Sequence, residues 1–253
     1  MTANELKDFL DEKADYYNQP LFIETDPIQI PHLFTKKEDI EIAGFFAAIL
    51  AWGNRKMIIR NAKNIMDIMG NNPYDFIVNY AGATDTISAF KHRTINGEDL
   101  HQMFASLHRI YHIYGGLENV FSQPTDLNLQ ERISRFKQLF FEGATILRTQ
   151  KHISDPSKGS AAKRLNMYLR WMVRRDNKGV DFGIWKKISP SELSCPLDVH
   201  SGTVARSLQL LQRKQNDQKA LRELDNALRQ LDPNDPVKYD FALFGLGAIE
   251  KFE

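Results

Sequence analysis

Two blocks decide how this chain is read: Ile153-Ser-Asp-Pro-Ser-Lys-Gly-Ser-Ala-Ala-Lys-Arg-Leu-Asn-Met-Tyr-Leu-Arg-Trp-Met-Val-Arg-Arg175 and Cys195-Pro-Leu-Asp-Val-His200. The first opens on a polar turn over 154–160. It continues as a predicted helix over 161–173 and ends in Arg174 and Arg175. Proline stops a preceding helix, and Gly159 permits a tight left-handed turn. Ser157 or Ser160 is placed to cap the next helix, whose first N–H groups lack partners within it. Such an end attracts phosphate, and Lys158 and Lys163 add positive charge beside it. Two helices joined by a short glycine turn describe a helix-hairpin-helix; the same residues also suit an ordinary helix–helix corner.

In the second block Asp198 precedes an apolar-periodic run (Val204, Leu208, Leu211) and is the predicted N-cap of a helix. A cap is the plain role for that aspartate. A catalytic role needs one carboxylate oxygen left free to stabilise a cationic transition state or to deprotonate a nucleophile. His200, two residues on, reads as structural.

The rest of the sequence reads as scaffold. A chain of 253 residues, 42% apolar and 26% charged, supports a full core in one large or two small domains. Net charge is +1, yet 148–178 holds nine Lys/Arg against two acids, a local +7. A solvated helix face or a phosphate-binding surface would each account for it. One cysteine, Cys195, excludes a disulfide framework and a four-cysteine metal or iron–sulfur site. The first residues are too acidic and polar for a signal peptide, and no apolar run suits a membrane span, so a cytoplasmic location is expected.

Helical periodicity recurs over 4–17, 36–50, 58–70, 72–80, 98–114, 117–121, 129–147, 199–211, 217–231 and 237–246. The segment 36–50 turns apolar on all sides, as a helix in the middle of a domain does, and Gly53 is placed to stop it. Residues 19–31, with prolines at 20, 27 and 31, read as an extended connector, and 81–88 as a loop. No period-2 strand pattern occurs, so the expected class is all-α.

The order of apolar helix, glycine hairpin and Pro196-Leu-Asp-Val-His200 resembles the helix-hairpin-helix DNA glycosylase superfamily. Pro156 and Gly159 match its Pro-x-x-Gly hairpin, and Asp198 matches its catalytic aspartate. Residues 45–55 look like its long buried helix and the DNA-probing loop that follows it. More narrowly, the whole chain resembles an uncharacterised bacterial family with the same Lys-Gly-Ser and Leu-Asn-Met-Tyr-Leu-Arg-Trp-Met-Val-Arg blocks.

The resemblance implies a two-lobed bundle with a cleft between lobes, residues 35–189 in one lobe and 1–34 with 190–253 in the other. It implies base excision from DNA, double-stranded and damaged, by Asp198 with Lys163 or Lys158 as an imine-forming amine. Ser157, Gly159, Ser160, Arg164, Arg170, Asn54 and Arg55 would hold the nucleic acid, and Trp52, Trp171 and Trp185 would be stacking surfaces for a base. No metal ion or organic cofactor is implied, although a monovalent cation could sit at the hairpin. The chain departs from the pattern at Ala161, where lyase-competent members carry lysine. The stretch between hairpin and aspartate is also longer than in common members and resembles the archaeal 8-oxoguanine branch. Two other readings stand beside this one: a silent DNA- or RNA-binding module, and an unrelated protein-interaction role.

Overall fold

A computed structural model describes residues 1–82 and 84–252. Helix accounts for 64% and strand for 2%, so the chain is all-α as expected. In chain order the α-helices are α1 (Ala3–Tyr17), α2 (Leu21–Thr25), α3 (Lys37–Leu50), α4 (Arg55–Ile68), α5 (Pro73–Val78), α6 (Asp85–Ser88) and α7 (Gly97–Tyr114). They continue as α8 (Leu117–Ser122), α9 (Leu129–Phe140), α10 (Lys163–Val173), α11 (Val199–Ser207), α12 (Gln218–Leu231) and α13 (Tyr239–Gly245). No helix among the described residues is long and apolar enough to cross a membrane.

The chain divides into two compact units, one of Thr25–Ser154 and the other of Met1–Glu24 with the chain from Asp155 onward. The first is built around α3, buried continuously from Asp39 to Leu50. Phe45 and Phe46 sit in an aromatic cluster with Phe104, Phe136 and Phe140. Each such ring contributes about 1.5–3 kcal/mol on burial. The polar exceptions on α3 are satisfied: Asp39 accepts from the Tyr74 amide at 2.8 Å and Glu41 from the Tyr111 hydroxyl at 2.8 Å. The helix ends at Leu50 with Ala51 as its C-cap, so Gly53, the expected stop, lies beyond the end, at φ 114°.

In the second unit the core joins Leu10 and Ala14 of α1 to Ala161, Cys195, Leu197, and the apolar faces of α11, α12 and α13. Helices α1 and α13 approach so closely that a Cβ on Gly245 would lie 2.2 Å from the Tyr17 ring.

The structure departs from the sequence reading in several places. The expected boundary at 189/190 is instead at 154/155, because the hairpin and α10 are tied to the C-terminal helices. The Gln218 amide donates to Gly159 O at 3.0 Å, and Ser160 pairs with Asp217 in an antiparallel bridge. The helix expected over 129–147 ends at Phe140, and a 3-10 turn (Leu147–His152) follows Gly143 at φ 68°. The connector holds α2 and two 3-10 turns, and the 81–88 loop contains α6, with Ala83 outside the described residues. A two-residue hairpin, β1 (Lys91–His92) with β2 (Ile95–Asn96), was too short to leave an alternating pattern.

Candidate active site

The hairpin is built from local bonds. Asp155 accepts from the Ser157 amide at 3.0 Å and from its hydroxyl at 2.7 Å, closing a 3-10 turn (Pro156–Lys158) that ends on Gly159 at φ 86°. Ser160 Oγ accepts from the Ala162 amide at 3.1 Å. Ala162 itself is left-handed (φ 43°), so α10 starts at Lys163 rather than at 161, and no side chain caps it. Ser157, Lys158 and Gly159 are exposed, whereas Ala161 belongs to the core. The position where the resemblance places a lysine is therefore filled by packing.

Asp198 caps α11 as its sequence position implies. Oδ1 accepts from the Ser201 amide at 3.0 Å, and Ser201 Oγ takes the Asp198 amide at 2.9 Å. The other oxygen, Oδ2, lies 3.2 Å from Lys163 Nζ. Burial raises the Asp198 pKa, but the Lys163 ammonium and the Ser201 amide outweigh it and hold the group below the usual carboxylate value. Asp198 is thus ionised at neutral pH, with one oxygen fixing the helix start and the other beside an amine. The cap carbonyl is fixed as well: Asn216 Nδ2 donates to Asp198 O at 2.7 Å, and Arg206 Nη2 donates to Asn216 Oδ1 at 2.5 Å. Asn216 left no signal in the sequence, since it lies eighteen residues from Asp198 in a polar turn.

Behind this pair lies a row of buried acids. Asp240 is 5% exposed and is bonded by Arg170 Nη1. The buried Cys195 Sγ lies 3.7 Å from Asp240 Oδ1. Burial, together with the Asp198 charge, pushes the Asp240 carboxyl up to about 6 against the pull of Arg170. Asp225 is pushed up to about 6 by burial, although it accepts from the Cys195 amide at 2.9 Å.

A raised carboxyl pKa means that the folded chain binds a proton more tightly than the unfolded one. Its stabilising effect is present at low pH and is lost as pH rises through about 6. Asp225→Asn removes that dependence while keeping an acceptor. The stability of the variant relative to wild type should therefore increase by about 2 kcal/mol between pH ~4.5 and ~7.5. Urea unfolding at the two pH values checks it, and a constant difference would contradict the assignment.

Several residues expected to meet nucleic acid or a base do not reach solvent. Arg170, 3% exposed, bonds Asp181 (3.3 Å) and Asp240. Arg174, 4% exposed, pairs with Asp176 (2.6 Å), Asp181 (3.2 Å) and Asp235 (3.0 Å). Arg164 is half-buried, and burial lowers its pKa. Arg148 pairs with Asp99 and Lys178 with Asp15, each at 2.6 Å. Much of the local charge of 148–178 is thus neutralised by acids far away in sequence.

Trp171 and Trp185 are both 0% exposed, and the Trp185 ring packs edge-on against Tyr168, so neither offers a stacking surface. Trp52 does: it is 49% exposed, with the Arg93 guanidinium 4.1 Å from its ring centre. Asn54 caps α4, accepting from the Met57 amide at 3.2 Å, and Arg55 is exposed beside it. This group belongs to the Thr25–Ser154 unit. His200 is exposed and faces Phe244 edge-on, a structural position.

The pairing of an aspartate cap with a hairpin lysine invites comparison with known proteins. Residues 26–249 match the family described as "protein of unknown function (DUF2400)". The chain belongs to that family. The match takes in the hairpin and Asp198 and leaves out Met1–Glu24. No curated protein and no solved structure matches the chain.

Proposed function

We propose that the chain is a DNA glycosylase of helix-hairpin-helix type with lyase capacity, acting on a damaged base flipped out of duplex DNA. In this reading the two units serve as the lobes of a glycosylase-like bundle. The observation that carries it is the 3.2 Å separation of Asp198 Oδ2 and Lys163 Nζ beside the hairpin. It lies within the reach that proton transfer requires.

The flipped nucleotide presents C1′, which is inaccessible inside the stack. Asp198 takes a proton from Lys163, and Nζ then attacks C1′. The C1′–N bond breaks with its electron pair leaving on the base, which takes up a proton. The adduct nitrogen then loses a proton, its lone pair forms C1′=N, and the C1′–O4′ bond breaks with its pair on O4′, which takes up that proton, leaving a protonated imine at Lys163. Asp198 also faces the positive charge that develops on the sugar as the base departs. Lys158, exposed at the tip, suits phosphate contact better than attack. Trp52, with its exposed face, is the retained stacking candidate.

The test is incubation with duplexes bearing oxidised, deaminated or alkylated bases in the presence of borohydride. The expected product is a covalent adduct that Lys163→Ala abolishes and Lys158→Ala retains. Absence of both base release and adduct across the panel overturns the reading.

A second reading, a catalytically silent DNA- or RNA-binding protein, is favoured by a different observation. Both Asp198 oxygens are engaged, one in the cap and one in the ion pair, and Ala161 fills the aligned lysine position. It predicts salt-sensitive binding that Asp198→Asn leaves intact, without base release by the wild-type chain.

A further inference from the structure

The hairpin does not stand alone at its surface. The Ser160–Asp217 bridge and the Gln218 amide on Gly159 O (3.0 Å) lay the turn before α12 alongside it. Lys158 lies two residues before Ser160, at the end of the 3-10 turn, and Lys219 two residues after Asp217, in the first turn of α12. Lys158, Lys214 and Lys219 are all exposed.

We propose that the hairpin tip, the turn before α12 and the first turn of that helix form one composite edge for a nucleic-acid phosphate backbone, with Lys158 and Lys219 as contacts and Lys214 at the flank. The inference rests on the DNA-binding reading above and names a second segment that engages the strand.

Three observations carry it. Three exposed lysines on two segments joined by a bridge make a positive edge unless acids neutralise it. The acids that could fill that place are already committed. Asp217 pairs with Arg213 and accepts from the Lys219 and Ala220 amides, Glu223 accepts from the Gln212 amide, and Asp155 holds Ser157. None of the three lysines has a carboxylate at ion-pair distance among the described residues.

The surface between them is also open. A Cβ built on Gly159 would meet nothing within 4 Å, so a sugar–phosphate chain can approach the hairpin backbone there. A regularly charged polyanion suits lysines spread over two joined segments better than a single small anion does.

The experiment is titration of a labelled duplex with wild type, Lys219→Ala, Lys214→Ala, Lys158→Ala and the Lys158→Ala/Lys219→Ala double variant at about 50–200 mM salt. All these positions are at the surface, and circular dichroism checks that the fold is kept. The expected result is a log K against log salt slope that is shallower by about 0.9 for Lys219→Ala and about 1.8 for the double variant. If Lys158→Ala flattens the slope while Lys219→Ala and Lys214→Ala keep wild-type affinity and slope, the composite edge is overturned and the hairpin contact stands. If the wild type fails to bind duplex at low salt, with or without binding to phosphatidylserine vesicles, both the edge and the DNA reading fall.

Discussion

Asp198→Asn is expected to slow single-turnover base release by about 10²–10⁴-fold while leaving duplex binding and the fold in place. The two carboxylate oxygens have separate roles. Asparagine caps a helix as well as aspartate, so Oδ1 can still accept from the Ser201 amide. What disappears is the negative charge beside Lys163 and the group that takes its proton. The ion pair itself is partly solvated, with side chains 32% and 19% exposed, so its loss costs no more than about 1 kcal/mol of stability. Asp198→Ala additionally loses the cap and about another 1 kcal/mol. Release rates and thermal melts measured on both variants separate chemistry from folding. Wild-type release by a folded Asp198→Asn protein would remove this aspartate from the mechanism.

Arg170→Met should destabilise the second unit by about 3–5 kcal/mol, the largest stability effect expected of any single residue in the basic stretch. The guanidinium is almost fully buried, lies 4.3 Å from the Phe241 ring centre, and neutralises Asp181 and Asp240 together. Removing it leaves two buried acids short of a partner. Combining Arg170→Met with Asp240→Asn should recover a sizeable part of the loss, because the second change removes one of the stranded charges. Denaturant midpoints for wild type, both single variants and the double variant test it. A loss below about 1 kcal/mol would mean that the charge is solvated after all.

That network also explains where reading the sequence succeeded and where it failed. Asp198 as a cap, Gly159 as a left-handed turn and α3 as a buried helix were legible because each is decided within a few neighbouring residues. The fate of Arg170 and Arg174 was not. Their partners Asp240 and Asp235 lie 70 and 61 residues downstream, and nothing in a charge run marks which members will find a distant acid.

Nothing local to Trp171 or Trp185 separates a stacking surface from a core ring, because burial is a property of the packed chain. The boundary between units was misplaced for the same reason. One backbone bond and one bridge, linking 159–160 to 217–218, assign the hairpin to the C-terminal helices. Lys163 is legible from its place just after the hairpin, whereas its approach to Asp198, 35 residues on, is set by the packing of α10 and α11.

The discontinuity of the second unit has a kinetic corollary. Helix α1 is made some 220 residues before α13, the helix it packs on. At cellular elongation rates that is a wait of roughly ten seconds or more. The intervening unit can condense as soon as Ser154 clears the tunnel, while Leu10 and Ala14 remain without their final neighbours. Nascent-chain intermediates should therefore show protected amides in the interior segment and an unprotected amino-terminal helix, with Gly245 closing the assembly last.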